Sequence, residues 1–545
     1  MSDPSDISRM LCGQTGDQTL RNHSIYTQMM ETVLSFMKLT TRDQQQDPVL
    51  EGQKHSQAIR EEEALLGHLM IQLVKHVESV ATGGQKFQLS WPSMDSRDNV
   101  RGGQQAQSSR QTCQDTFIGY DLSNRGLDIS SLYHSSFQDH NTYQRNKYHK
   151  ENNTLGFINL GTSENKLCVD LLKERLRRSD MNYVDDNLLQ YPDWRGQPFL
   201  REEVARFLTT YCKAPAHLDP ENVVILNGCS SVFSSLAMVL CDPGEAFLVP
   251  TPFFSGFIFS ACLYAKVELL PVHLDSRVTS ANTSPFQLTV GKLEQALFEA
   301  KMEGKKVRGL LLTNPQNPLG DVYSRDAFDL HVIVDEIYML TVFDEAITFH
   351  SVLSIESLPD PGKTHVIWGT SKGFGLSGFC FGALYTYNRE VASAVSAFGF
   401  LHGISGIAQY KLTQLLQDRE WLDNTYLPIN RFRLQAAHKY ITNELKALNV
   451  PFLNRGSGLF VWINLKKYLH PCTFEEELLL HRRFLDKKLI LSPGKSFMCK
   501  EPGWFRLVFA DNHLLLRSAM HRFHQVLLEQ ERDWTRKQLE DAIKE

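Results

Sequence analysis

The sequence has no basic run, no paired CxxC, no metal-ligand spacing and no long apolar stretch. Each absence removes a class of function. A net charge of −5 over 545 residues gives nucleic-acid phosphates no electrostatic partner. The ten cysteines (12, 113, 168, 212, 229, 241, 262, 380, 472 and 499) are scattered. That suits reduced thiols in a cytoplasmic protein better than a disulfide framework. The longest apolar stretch, Phe253–Ala265, is interrupted by Ser and Gly and falls short of the ~20 residues a membrane helix needs. The polar N-terminus offers no signal-peptide core. A soluble, cytoplasmic protein with no membrane or nucleic-acid partner is expected. Its hydrophobic (42%) and charged (22%) contents are ordinary, and its length calls for two or three domains.

What is present divides by composition. Residues 1 to about 115 are rich in Gln, Ser, Asp and Gly and read as a disordered, low-complexity extension. Ile25–Met37 and Glu61–Val80 have helical apolar spacing within it, the latter a candidate partner-binding helix. From about 120 the pattern alternates. Glu202–Tyr211, Ser230–Leu240 and Lys292–Lys301 read as helices. Val223–Leu226, Ala246–Val249, Val307–Thr313, His331–Asp335, His365–Trp368 and Phe379–Tyr387 read as strands. Such alternation predicts an α/β fold on a mostly parallel sheet, with ligands at the strand C-termini. Residues 430–530 mix helices with short strands (Leu459–Asn464, Trp504–Ala510) and read as a second, smaller α/β domain.

Lys372 is the focal residue, in the turn Trp368-Gly-Thr-Ser-Lys-Gly-Phe-Gly-Leu-Ser-Gly378. Small neighbours allow its amine to be desolvated, which lowers its pKa and suits it to forming an imine with an aldehyde cofactor. Gly373, Gly375 and Gly378 form a literal GxGxxG, but a strand-like segment follows and no acid stands in the required place. The dinucleotide reading therefore fails. Asp335 closes a strand, where its carboxylate can pair with a protonated ring nitrogen. Tyr338 and Asn317, the latter in a turn stiffened by prolines, can both reach a phenolate oxygen. Gly228-Cys229-Ser230 opens a helix and can cradle a phosphate. Phe254 can stack on a ring, and Arg506 can clamp a carboxylate. Singly, each has an ordinary structural alternative: a helix-start acid, a core aromatic, a surface strand residue. Their joint occurrence in this order is hard to obtain by chance.

Asn314-Pro-Gln-Asn-Pro-Leu-Gly320, Asp335-Glu-Ile-Tyr338 and Ser371-Lys-Gly-Phe-Gly resemble class I/II aminotransferases of pyridoxal-phosphate (PLP) fold type I. Gly161-Thr-Ser-Glu-Asn-Lys-Leu, Pro250-Thr-Pro-Phe-Phe and Glu501-Pro-Gly-Trp-Phe-Arg are similar to 1-aminocyclopropane-1-carboxylate (ACC) synthases and their vertebrate ACC synthase-like relatives. The resemblance covers about 120 to 530. It implies pyridoxal 5'-phosphate as cofactor, Lys372 as Schiff-base lysine, Asp335 on the pyridine nitrogen, and Asn317 and Tyr338 on the ring hydroxyl. It further implies Phe254 as stacking ring, Ser230 and Ser371 near the phosphate, Arg506 on an amino-acid carboxylate, and Glu164 near the substrate entrance. A homodimer is implied, and so is a domain plan: 1–115 extension, 116–170 arm and part of the small domain, 171–425 large domain, 426–530 small domain, 531–545 helical tail.

The chain also departs from that pattern. Cys380 stands where the family carries a phosphate-binding Arg, and Gly369 where it carries Ser. Loss of one charge-assisted bond of about 1.5–3 kcal/mol weakens phosphate binding about tenfold to a hundredfold. Trp194 replaces the tyrosine that reaches a neighbouring subunit, Gly373 a usual Asp, and Phe259 an arginine of the plant synthases. The last argues against S-adenosylmethionine as substrate. The stretch from Asn317 to Asp335 is about ten residues shorter than the resemblance implies, leaving 321–331 near the crossover minimum of about 10–12 residues. Such a crossover should leave one sheet face thinly covered. Two functional expectations follow: an aminotransferase-like enzyme acting at an amino-acid α-carbon, with ACC synthesis disfavoured, or a pseudoenzyme acting through protein contacts.

Overall fold

The structure is a computed structural model that describes residues 122–277, 284–322 and 330–544. The expected N-terminal extension and its helical patches at 25–37 and 61–80 lie outside those residues, as does 323–329 of the short crossover.

The β-branched and aliphatic runs form a seven-stranded sheet. Its strands are β1 (Val223–Leu226), β2 (Ala246–Thr251), β3 (Glu268–His273), β4 (Val307–Thr313), β5 (His331–Asp335), β6 (Thr364–Gly369) and β7 (Gly382–Thr386). They lie in the order β1-β7-β6-β5-β4-β2-β3. β7 runs antiparallel to β1 and β6, and the other pairs are parallel. A mostly parallel sheet needs cover on both faces. On one face, helices α3 (Cys229–Leu240) and α4 (Gly256–Ala265) pack Phe233, Leu236 and Ala261 on Leu226, Leu311, Ile333 and Ile367. On the other, α2 (Pro198–Tyr211) and α6 (Gly406–Gln417) cover Ile225, Val366 and Trp368, while α5 (Val290–Met302) covers Leu248, Val272 and Leu310. α2 shows why such segments become helices. Pro198 occupies its first turn, where no N–H is needed, and Leu200, Val204, Phe207 and Leu208 share one buried stripe.

A second core is built on an antiparallel sheet of β8 (Phe452–Leu453), β9 (Phe460–Asn464), β10 (Ser492–Pro493) and β11 (Trp504–Val508), in the order β10-β11-β9-β8. Helices α7 (Leu427–Ala447), α8 (Phe474–Asp486) and α9 (His513–Lys544) surround it through Leu434, Ile441, Leu480, Phe484 and Phe523. Ile158 and Asn159 pair in parallel with Leu489 and Ile490, bringing Ile158 and Leu160 into that core. The first described helix, α1 (Asn124–Arg145), sets Phe137 edge-on against Phe259 at 5.4 Å.

Two segments differ from their predicted form. The strand expected over Phe379–Tyr387 is confined to Gly382–Thr386, because Ser377–Phe379 forms a 3-10 turn and Cys380 is left-handed (φ 49°). The short crossover still lets β4 and β5 pair in register, from Gly309↔His331 to Thr313↔Asp335. Among the described residues no helix joins them, and Leu312 and Val332 remain only partly buried.

Candidate active site

Strand C-termini gather the candidate residues. Asp335 ends β5, Asn317 follows β4, Lys372 follows β6 and Gly228 follows β1. Arg506 comes from elsewhere, from the middle of β11 in the second core.

Lys372 keeps some exposed surface as a residue, yet its amine end is enclosed and donates to the Ser163 carbonyl at 2.5 Å. Burial, and then the positive charge of Arg506, pull its pKa from 10.5 to about 8. Its Nζ lies 5.9 Å from the centre of the Tyr338 ring. The Tyr338 hydroxyl donates to Ser163 Oγ at 3.0 Å and receives Asn317 Nδ2 at 3.4 Å; burial pushes it up to about 12. Asn317 Oδ1 in turn accepts from Arg506 Nη1 at 2.7 Å. A continuous polar path therefore runs from Arg506 through Asn317, Tyr338 and Ser163 to Lys372. The Asn317 turn is held by Gln316, which donates to Pro252 O (2.7 Å) and accepts from Leu319 N (2.8 Å).

Arg506 is 4% exposed and stands between the rings of Phe497 (4.8 Å) and Phe460 (5.2 Å). Its Nη2 donates to the Gly161 carbonyl, while its Nε has no partner. Burial lowers its pKa to about 10. No carboxylate pairs with it among the described residues, and a desolvated guanidinium in that condition is poised to take one. Asp335 is also buried, and burial raises it to about 7 despite the Ile337 N–H that it accepts.

At the opposite end, Gly228 has φ 115°, a conformation open to glycine and strained for other residues. It lets the chain turn from β1 into α3, whose ladder starts with the Ser231 N–H on the Gly228 carbonyl (3.0 Å), so that the Cys229 and Ser230 N–H groups precede it and suit an anion. Ser230 is exposed there and Ser371 partly buried. Cys229 is enclosed close to Asp335 and Lys372, and burial keeps its thiol protonated. A Cβ built on Gly369 would lie 2.9 Å from Cys229 Sγ and 2.6 Å from the Phe381 carbonyl. A serine cannot be accommodated there without moving backbone.

Asp335, Tyr338, Asn317, Cys229, Glu164 and Arg506 therefore interact with Lys372 directly or through one another. Glu164 accepts Ser377 Oγ at 3.4 Å and lies 3.9 Å from Lys166. Phe254 instead meets Phe257 at 5.5 Å, and Trp194 lies at the surface against Tyr191 and Phe400. Sequence reasoning did not single out Ser163, the Gly161 carbonyl, Phe460 or Phe497. The first two stand in the Gly161–Leu167 motif; their carbonyls leave no mark in a side-chain pattern, and the Ser163 hydroxyl that accepts from Tyr338 is one common serine among many.

A mostly parallel sheet carrying an enclosed lysine, an acid and a tyrosine at its strand ends, faced by an arginine from a second core, is the PLP fold-type-I architecture. The chain belongs to the aminotransferase class I and II family, which matches residues 156–523, and within it to the ACC synthase-like group. It is 63% identical over 571 residues to the human protein named "Probable inactive 1-aminocyclopropane-1-carboxylate synthase-like protein 2", covering 100% of both chains. Human ACC synthase-like protein 1 is 56% identical, covering 74% of this chain and 83% of its own length. ACC synthase 2 of Solanum lycopersicum is 32% identical over 69% of this chain and 80% of its own. Among solved structures, aspartate aminotransferase from Thermotoga maritima superposes with a TM-score of 0.56 at 23% identity, covering 74% of this chain and 100% of its own.

Proposed function

We propose that this chain binds pyridoxal 5'-phosphate at Lys372 and an amino-acid substrate through Arg506, and acts at the substrate's α-carbon. The observation that carries the reading is the buried guanidinium of Arg506, which has no carboxylate partner among the described residues and a free Nε, linked by hydrogen bonds to a desolvated lysine. The residues present fit the cofactor. Asp335 would hold the ring nitrogen, Asn317 and Tyr338 the ring hydroxyl, and Phe254 the ring face. Gly228, Cys229, Ser230 and Ser371 would hold the phosphate. When bound, pyridoxal phosphate supplies an electron sink for the bonds at the α-carbon. Lys372, part-neutral near pH 8, moves the proton there. Tyr338 and Asn317 orient the two ends of the site, and Arg506 fixes the carboxylate. Glu164 and Trp194 belong to the substrate side, Glu164 at its entrance.

We assign residues 171–425 to a large domain and 426–530 to a small one, preceded by an arm and followed by a helical tail. A homodimer is the expected assembly, since folds of this family generally pair. The exposed apolar side chains Tyr191, Trp194, Phe400 and Leu401 support it. A cytoplasmic site suits the eight described cysteines, all free. Among the described residues no helix is long and apolar enough to cross a membrane.

A second reading, a pseudoenzyme acting through protein contacts, is favoured by the phosphate end. Cys380 brings no charge there, and Gly369 admits no hydroxyl without backbone movement. Titration of the purified chain with pyridoxal phosphate decides between them. A yellow species that borohydride fixes to Lys372, located by peptide mass, supports cofactor binding. A colourless protein with unmodified Lys372 at millimolar cofactor supports the pseudoenzyme.

A further inference from the structure

Just before α7, Leu422–Tyr426 is wound as a π-helix, with the Leu427 N–H bonded to the carbonyl of Leu422, five residues back. The cause is visible two residues beyond the turn. Pro428 has no N–H to give, and its ring would collide with the carbonyl four residues earlier in a regular helix. Widening one turn relieves that collision, and such bulges recur at functional sites. The inserted residue also changes the phase of the helix by about 100°. Before the bulge, Trp421 and Leu422 face the core under the large sheet; after it, Leu434, Ile441 and Leu445 face the second core.

Tyr426 stands at the junction and is fully buried. Its ring stacks on Phe374 at 5.2 Å and 21°, and its hydroxyl donates to the Gly373 carbonyl at 3.0 Å. Gly373 is the residue after Lys372. The same carbonyl receives Asn165 Nδ2 at 3.4 Å, and that amide also donates to Asn430 Oδ1 of α7 at 2.9 Å. The turn has no slack at Gly375 (φ 66°), where an added Cβ would lie 2.1 Å from the Asn165 carbonyl. One helix, shared by two cores, thus grips the turn that carries the reactive amine.

We propose that Tyr426 is the positioning residue of Lys372: the π-turn aims its hydroxyl at Gly373 and so holds the amine inside the site. Tyr426 touches neither Lys372 nor any reacting atom. Its action passes through the 372–375 backbone, and α7 conveys the position of the smaller domain to the lysine. The inference rests on the reading of Lys372 as the reactive amine, but not on cofactor binding.

The test is competitive acetylation of Lys372 by acetic anhydride between pH 6 and 11, read by peptide mass on the full chain without cofactor. The unaltered protein should titrate near pH 8. Tyr426→Phe should move the midpoint up by about one unit, a roughly tenfold loss of neutral amine below the midpoint. Tyr440→Phe, on the same helix but remote from the turn, should not. Pro428→Ala removes the cause of the π-turn; it should leave thermal stability equal or higher yet shift Lys372 in the same direction as Tyr426→Phe. A merely structural tyrosine would lower stability in Tyr426→Phe and leave both midpoints unmoved. An unshifted midpoint in either folded variant overturns the proposal, as does an unaltered protein titrating near 10.5. If Tyr426→Phe does not fold, Pro428→Ala decides alone. A midpoint near 8 with no pyridoxal-phosphate adduct would sink the cofactor reading and leave this one standing.

Discussion

Replacing Lys372 with methionine should stabilise the chain at neutral pH. The side chain keeps its length while the charge is removed. Burial lowers the lysine from 10.5 to about 8, a difference of 2.5 units worth up to about 3.5 kcal/mol at ~1.4 kcal/mol per unit. The variant gives up the bond to the Ser163 carbonyl, worth about 1 kcal/mol, so a net gain of up to about 2.5 kcal/mol remains at pH 7. The sign follows from proton counts. Below pH 8 both folded and unfolded lysines are charged, and the folded chain carries the full desolvation cost. Between pH 8 and 10.5 the folded amine loses its proton while the unfolded one keeps it, so the unaltered protein gains stability as pH rises. Above 10.5 the cost is gone and the lost Ser163 bond decides. Urea unfolding of both proteins at pH 7, 9 and 11, followed by tryptophan fluorescence, tests this. Methionine should win at pH 7 and lose its advantage by pH 11. A methionine variant weaker at pH 7, or an advantage equal at all three values, would refute the reasoning.

Cys380 is exposed and already left-handed, so Cys380→Arg needs no new space and should tighten pyridoxal phosphate about tenfold to a hundredfold in an absorbance titration. No tightening would mean that the phosphate end is limited elsewhere, most simply at Gly369. Arg506→Lys keeps a charge but loses the two-pronged geometry, so calorimetric affinity for an amino acid in the cofactor-loaded protein should fall at least about tenfold. Asp335→Asn should flatten acid-range stability. The buried carboxyl stays protonated to about pH 7 while the unfolded one ionises near 4. The unaltered chain should therefore lose stability against the variant as pH rises through that window.

The sheet was largely legible in the sequence because β-branched runs of four to seven residues are hard to read otherwise. Val223–Leu226, Val307–Thr313 and His331–Asp335 have the predicted bounds. Phe379–Tyr387 reads as one strand by its apolar content, which carries no sign of the left-handed Cys380 that delays the pairing to Gly382. Lys372, Asp335, Tyr338 and Asn317 could be placed near one another because strand ends of one sheet converge. Arg506 needed more, since it crosses from the antiparallel sheet. Ser163 and Gly161 act on Lys372 and Arg506 through main-chain oxygens, which any residue type possesses. Tyr426 escaped for another reason. Pro428 is plain in the sequence, but the turn it widens and the stacking it permits are tertiary facts.

The carbonyls of Gly161 and Ser163 occupy the two groups to which the proposed function assigns partners, one on Arg506 and the other on Lys372. Binding is therefore an exchange, not a filling. On the proposed reading of Arg506, a carboxylate has to outcompete an amide oxygen already seated on the guanidinium, and its affinity would be the difference between two sets of hydrogen bonds. Both oxygens belong to a segment that starts from the Ile158–Asn159 pairing with Leu489–Ile490. How firmly that short ladder holds thus enters any exchange at Arg506 and Lys372, although Ile158 and Leu489 are themselves buried in the second core. If Arg506 takes a carboxylate as proposed, the chain's own backbone is that ligand's first competitor.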